Sequence, residues 1–105
     1  MNNTPLKMVW IVFNIAIETE VKTILQKLGV ECYTEWPRLI GKGNSTGPKL
    51  DNNVWPGANG AFMIATTADK ASQLMDAIRA LREEIGTHEG IKAFLTPLED
   101  ITGDL

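Results

Sequence analysis

The chain has 105 residues and a formal net charge of −3, with 44% hydrophobic and 22% charged residues. That size and balance predict one globular domain over residues 1–105 and exclude wholesale disorder. The acidic balance argues against a nucleic-acid partner, whose binding draws on basic residues that release counterions. A single cysteine, Cys32, excludes an internal disulfide, and a single histidine, His88, excludes a Cys/His zinc site within one chain.

From the N-terminus, Met8 to Phe13 is a continuous apolar run of strand length, rich in β-branched and aromatic residues. It reads as a central strand covered on both faces. It is too short to span a bilayer and lacks the flanks of a targeting signal. A soluble, cytoplasmic protein without membrane insertion is therefore expected, in a reducing compartment. From Ile17 the period changes, with Ile17, Val21, Ile24, Leu25 and Leu28 at spacings of one, three and four and Gly29 as terminator. This is an amphipathic helix. Glu31 to Ile40 alternates loosely around Pro37, which lacks an N–H for the ladder and marks an edge strand. Ala61 to Ala65 forms another run apolar on both faces. Ala71, Leu74, Met75, Ile78, Leu81 and Ile85 stripe a second helix, with Thr67 or Asp69 as its cap and Gly86 after its last turn. Ile91 to Thr96 is the fourth strand, followed by an acidic tail.

The order β-α-β-β-α-β predicts an α+β, ferredoxin-like sandwich: an antiparallel sheet with both helices on one face. Along the first strand Met8, Trp10 and Val12 oppose Val9, Ile11 and Phe13, so the face away from the helices is apolar too. Copies of the same chain are expected to close it, because each large side chain left exposed forgoes roughly 1.5–3 kcal/mol of burial.

The longest connection, Gly41 to Gly60, holds five of the nine glycines and carries Lys42, Lys49 and Asp51, a net +1. Connections of such length are functional or disordered. Gly41 and Gly43 let backbone N–H groups converge on an anion, Ser45 and Thr46 add hydroxyls, and Trp55 offers a flat face for a ring. The same composition also suits a plain connector whose lysines are solvated. No nucleophile, base and orienting group occur together, so no enzymatic activity is expected. The phosphate-loop pattern fails around Gly41-Lys42-Gly43, where Trp36 stands for the first glycine and Gly43 follows the lysine. Trp10 reads as core or interface, Cys32 as a small buried residue within the second strand, Glu83 and Glu84 as a solvated helix face, and Trp36 either lines a cleft or covers an edge.

Lys92-Ala93-Phe94-Leu95-Thr96-Pro97-Leu98-Glu99-Asp100-Ile101 resembles the run of lysine, apolar, Phe, apolar, small, Pro, apolar and acidic residues that ends the core of PII-like signalling proteins. The opening strand, the helix ending in Leu28-Gly29-Val30, and Gly41-Lys42 after the second strand stand where that family has counterparts. The resemblance implies a ferredoxin-like homotrimer whose clefts between subunits bind an adenine nucleotide or related small effector. It also implies that the long loop engages a target such as a transporter or enzyme. By position, Gly41 and Lys42 match the base of the family's long loop and Lys92 its phosphate-contacting lysine. Ile91 stands where a glycine would precede that lysine, no tyrosine lies in the long loop, and Thr96 to Leu105 lacks basic residues. With these departures the resemblance implies a divergent PII-like protein that does not hold ATP in the family's usual mode and binds another ligand or none. A second resemblance, to the trimeric copper-tolerance CutA proteins, implies divalent-metal binding through His88 with Glu89 or Asp100.

Overall fold

A computed structural model describes residues 5–43, 47–50, 57–86 and 90–105. The elements are β1 (Leu6–Asn14), α1 (Glu18–Lys27) after a 3-10 turn at Ile15–Ile17, β2 (Thr34–Leu39), β3 (Gly41–Gly43), β4 (Gly47–Lys49), β5 (Asn59–Thr67), α2 (Ala68–Ile85) and β6 (Ile91–Pro97). Four of them form an antiparallel sheet in the order β2-β5-β1-β6. This is the ferredoxin-like arrangement, with β1 and β5 in the centre as their two-sided apolar runs require.

Register decides which residues share a face. Val9 lies between Ile64 and Leu95, Ile11 between Phe62 and Ala93, and Phe13 between Gly60 and Ile91. Val9, Ile11, Phe13, Phe62, Ile64 and Ile91 join Val21 and Leu25 of α1 and Ala71, Leu74, Ile78 and Leu81 of α2 in one core. Both helices therefore pack on one face. Gly60 is required there, because a Cβ at that position would stand 2.6 Å from the Phe13 ring.

The helix ends follow from local chemistry. Thr67 caps α2, its Oγ1 accepting from the Lys70 N–H at 3.3 Å, and Gly86 closes the helix at φ 87°, a conformation that favours glycine. Gly29, at φ 73°, reverses the chain after α1, and the Val30 N–H donates to the Leu25 carbonyl at 2.8 Å. The Lys70 ammonium donates to the Leu28 carbonyl and so ties the two helices together.

Three details correct the sequence reading. The second strand is shorter than Glu31–Ile40, since residues 31–33 lead into it without pairing. Cys32 therefore precedes the strand and is exposed, not buried within it. The connection after β2 is not without structure: Gly41 pairs with Lys49, Lys42 with Pro48 and Gly43 with Gly47 in a two-stranded ribbon. At β2, as Pro37 foretells, the pairing with β5 shifts register between Trp36 and Leu39 on the sheet edge.

Where β2 meets the helices, Glu35 lies opposite Phe62 on the helix side. Its carboxylate is 3.6 Å from the Lys22 ammonium, which also sits 3.7 Å from Glu18. Burial holds the Glu35 carboxyl above the ordinary value of 4.5, and a hydrogen bond to the Glu18 carboxyl adds to this, while Lys22 opposes it. A raised value means that the folded chain holds this proton more tightly than the unfolded chain does. The stabilisation is present below the ordinary value and is lost as pH rises through the raised one. Glu35→Gln, which mimics the neutral form, is expected to be more stable than the parent at pH 7, with the gap closing below pH 4.5. Urea unfolding of both proteins across that range checks it. A variant less stable at pH 7 would show that the Lys22 pair outweighs burial.

Candidate functional site

The face away from the helices is the candidate site. Its centre is a three-strand aromatic row: Trp36 of β2, Trp10 of β1 and Phe94 of β6, the last directly opposite Trp10. Trp10 and Trp36 stack at 6.2 Å between ring centroids and 23° between planes. They meet across β5, where Ala61 lies opposite both Val12 and Trp36 and its small side chain leaves room. Trp36 and Phe94 are 39% and 50% exposed, so the row is uncovered in the single chain. Trp10 is half-buried, and Trp36 covers part of the sheet face rather than only its edge.

Lys42 and Lys92, the basic residues predicted to bind, both lie toward one end of the sheet. The Asn14 N–H donates to the Gly90 carbonyl at 2.7 Å and the Ile15 N–H to the Ala58 carbonyl at 3.0 Å, drawing both neighbouring loops to the end of β1. Gly41 sits tight against Asn59, since a Cβ there would lie 3.1 Å from its side-chain nitrogen. Lys42 follows in the ribbon and Lys92 lies opposite Val12 on β6, both exposed. They share an end of the sheet but not an edge. Lys42 follows the β2 edge strand and Lys92 is on the β6 edge strand, and those two edges of the sheet are three strand spacings or about 14 Å apart.

The backbone of Gly43 lies in the ribbon. Ser45, Trp55, His88 and Glu89 lie outside the described residues. Asp100 is exposed and its carboxylate accepts from the Ile101 N–H at 2.8 Å. Among the described residues no cluster of His, Cys, Asp and Glu is arranged to hold a metal ion, and no helix is long and apolar enough to cross a membrane.

At the opposite end lies a groove of about 450 Å³ that the sequence reading missed. Its floor is Met8, Met63 and Ala65 of the open face, one wall is Cys32, Tyr33 and Thr34, and the other is the C-terminal segment through Leu98, Ile101, Asp104 and Leu105. Strand alternation could have located the floor. The wall formed by the C-terminal segment left no signal, because it joins residues far apart in the chain.

A small α+β domain with one sheet face packed and the other open, lysines at one end and an apolar groove at the other, defines a ligand-binding or assembly module. The family model for nitrogen regulatory protein P-II matches residues 6–103, and the chain belongs to that family. No curated protein matches the sequence. Among solved structures, the PII-like protein CPII of Thiomonas intermedia K12, bound to ADP, AMP and bicarbonate, is 23% identical. Its TM-score is 0.72, covering 90% of this chain and 86% of that one. A DUF3240-family protein of Shewanella baltica OS155 is 14% identical with a TM-score of 0.69, covering 97% and 98%. GlnK of B. subtilis, in complex with ATP, is 17% identical with a TM-score of 0.63, covering 90% and 84%. At these identities the likeness is one of fold.

Proposed function

We propose that this chain is a non-catalytic regulatory protein of the P-II family. It works as a homotrimer, binds a small anionic effector of the adenine-nucleotide class in clefts between subunits, and acts on a partner protein through the 41–60 segment. The observation that carries this reading is the placement of Lys42 and Lys92 at one end of the sheet but toward opposite edges. A phosphate-bearing ligand reaches both only where the β2 edge of one copy stands beside the β6 edge of the next. The open apolar face, with its exposed aromatic row, supplies the surface that such copies bury. CPII, similar in fold, was solved with ADP and AMP, which makes that nucleotide class the first to try. A compartment that keeps the exposed Cys32 thiol reduced, the cytoplasm, fits the free cysteine.

The test is native mass spectrometry followed by calorimetry with ADP. A trimer that binds ADP is expected, with Lys42→Ala and Lys92→Ala each weakening it about tenfold or more, the usual worth of a charged hydrogen bond. Unchanged affinity in both variants would remove these lysines from the site. A monomer would remove the cleft.

A further inference from the structure

The groove at the far end of the open face carries a set of sulfur donors. The chain has one cysteine and four methionines, and the cysteine, Cys32, lines this groove of about 450 Å³ together with two of the methionines, Met8 and Met63. Strand register places the methionines near one another. Met8 lies opposite Ala65, and Met63 lies opposite both Trp10 and Thr34. The two are therefore diagonal neighbours across β1 and β5, about 7–8 Å apart and within reach of long side chains. Cys32 stands two residues before Thr34 and is exposed. Ala65 lines the same groove, and its single methyl leaves space above the floor. Leu98 and Ile101 add apolar surface, while among the described lining residues Asp104 is the one carboxylate and none is an imidazole.

We infer that Cys32, Met8 and Met63 bind one copper(I) ion, with one thiolate and two thioethers as its ligands. This goes beyond the nucleotide reading and does not depend on it. Donor chemistry comes first: soft thiolate and thioether sulfur selects copper(I), whereas zinc and harder cations take imidazole, carboxylate or several thiolates. Charge makes the same choice. One thiolate with one copper(I) is neutral overall and suits an apolar groove, while a divalent ion on these three ligands keeps a net positive charge that burial disfavours. Methionine, unbranched and with three rotatable bonds, turns its sulfur toward an ion without moving the strand that carries it. Binding changes no oxidation state: the Cys32 S–H bond breaks as the S–Cu bond forms, and the proton leaves to solvent. All three ligands come from one chain, so each chain holds one ion in any assembly. Copies that close the open face shield that ion from water and oxidant.

The test supplies copper(I) without oxygen to the full chain in competition with bicinchoninate, which colours on binding copper(I), and compares Cys32→Ser, Met8→Leu and Met63→Leu. Methionine-to-leucine changes conserve volume and Cys32 is exposed, so the variants keep their fold, which circular dichroism verifies. The parent is expected to take one ion per chain and Cys32→Ser none. Each methionine variant should bind about tenfold more weakly or worse, since even the outer partners of a metal site are worth that much. X-ray absorption at the copper edge should count three sulfur neighbours in the parent and two in Met63→Leu. Loss of the ion in Cys32→Ser with full affinity in both methionine variants overturns the site in favour of a bare thiol. One ion shared among three chains overturns a site built within one chain. Zinc held as firmly as copper(I), and released in Asp104→Asn, overturns the choice of metal. A parent that leaves all copper(I) with bicinchoninate overturns the proposal outright. None of these outcomes bears on ADP binding, which judges the nucleotide reading separately.

Discussion

Phe62→Ala is expected to remove about 3–5 kcal/mol of stability, the range for truncating a fully buried aromatic residue. Phe62 is 0% exposed on central strand β5, opposite Ile11. Its ring lies 5.2 Å from that of Phe13 and receives the edge of Tyr33 at 5.0 Å. Truncation leaves a void between sheet and helices and also strips Tyr33, 43% exposed, of its partner. Since a domain of this size has only about 5–15 kcal/mol in total, the variant should unfold at a much lower urea concentration with a similar slope. Phe62→Leu, which keeps most of the volume, should cost less than half as much. A loss below about 1.5 kcal/mol for the alanine variant would mean that the core closes over the void.

Trp10→Glu is expected to convert the proposed trimer into a folded monomer. Trp10 sits at the centre of the open face, between Met63 and Phe94 and stacked on Trp36. In a monomer the new carboxylate stands on a half-open surface and remains hydrated. In an interface it is a buried charge without a partner, an arrangement that costs about 3–5 kcal/mol when an ion pair is broken and is paid three times over in a trimer. Sedimentation should report one subunit mass for the variant and three for the parent, while the unfolding midpoint of the monomer stays that of an intact core. A persistent trimer would place the interface elsewhere. A monomeric parent would leave the aromatic row exposed and require a different partner for it.

Both expectations draw on features that are legible in the sequence. Strand alternation separated Phe62 from Met63 and Trp10 from Ile11, because the two-residue period holds wherever a strand holds. The caps were legible for a similar reason. Thr67 and Gly86 act through hydrogen bonds and backbone angles within a few residues of themselves, as found at both ends of α2. Pro37 announced the edge strand because a residue without an N–H has few places in a sheet. The family resemblance, read from Lys92 to Ile101 and from Gly41-Lys42, agrees with the match over residues 6–103.

Elsewhere local pattern was misleading. The pattern around Cys32 predicts a buried strand residue, but the chain turns at Gly29 and the strand begins only at Thr34, which leaves the thiol exposed. The ribbon at Gly41–Gly43 and Gly47–Lys49 is built from glycine, lysine and proline, residues depleted in strands, so nothing in its composition announces pairing.

The sequence by itself determined the order of the helices and of the four strands of the main sheet along the chain, the two apolar faces of the central strands and the family, because these depend on periods, caps and motifs carried by neighbouring residues. Only the tertiary structure decided that Trp10 stacks on Trp36 across β5, that Lys42 and Lys92 stand toward opposite edges, and that Leu98, Ile101 and Leu105 line one groove with Met8 and Met63. Each of these joins residues distant in the chain, and their meeting depends on strand order and on the path of a terminal segment. No local period encodes either.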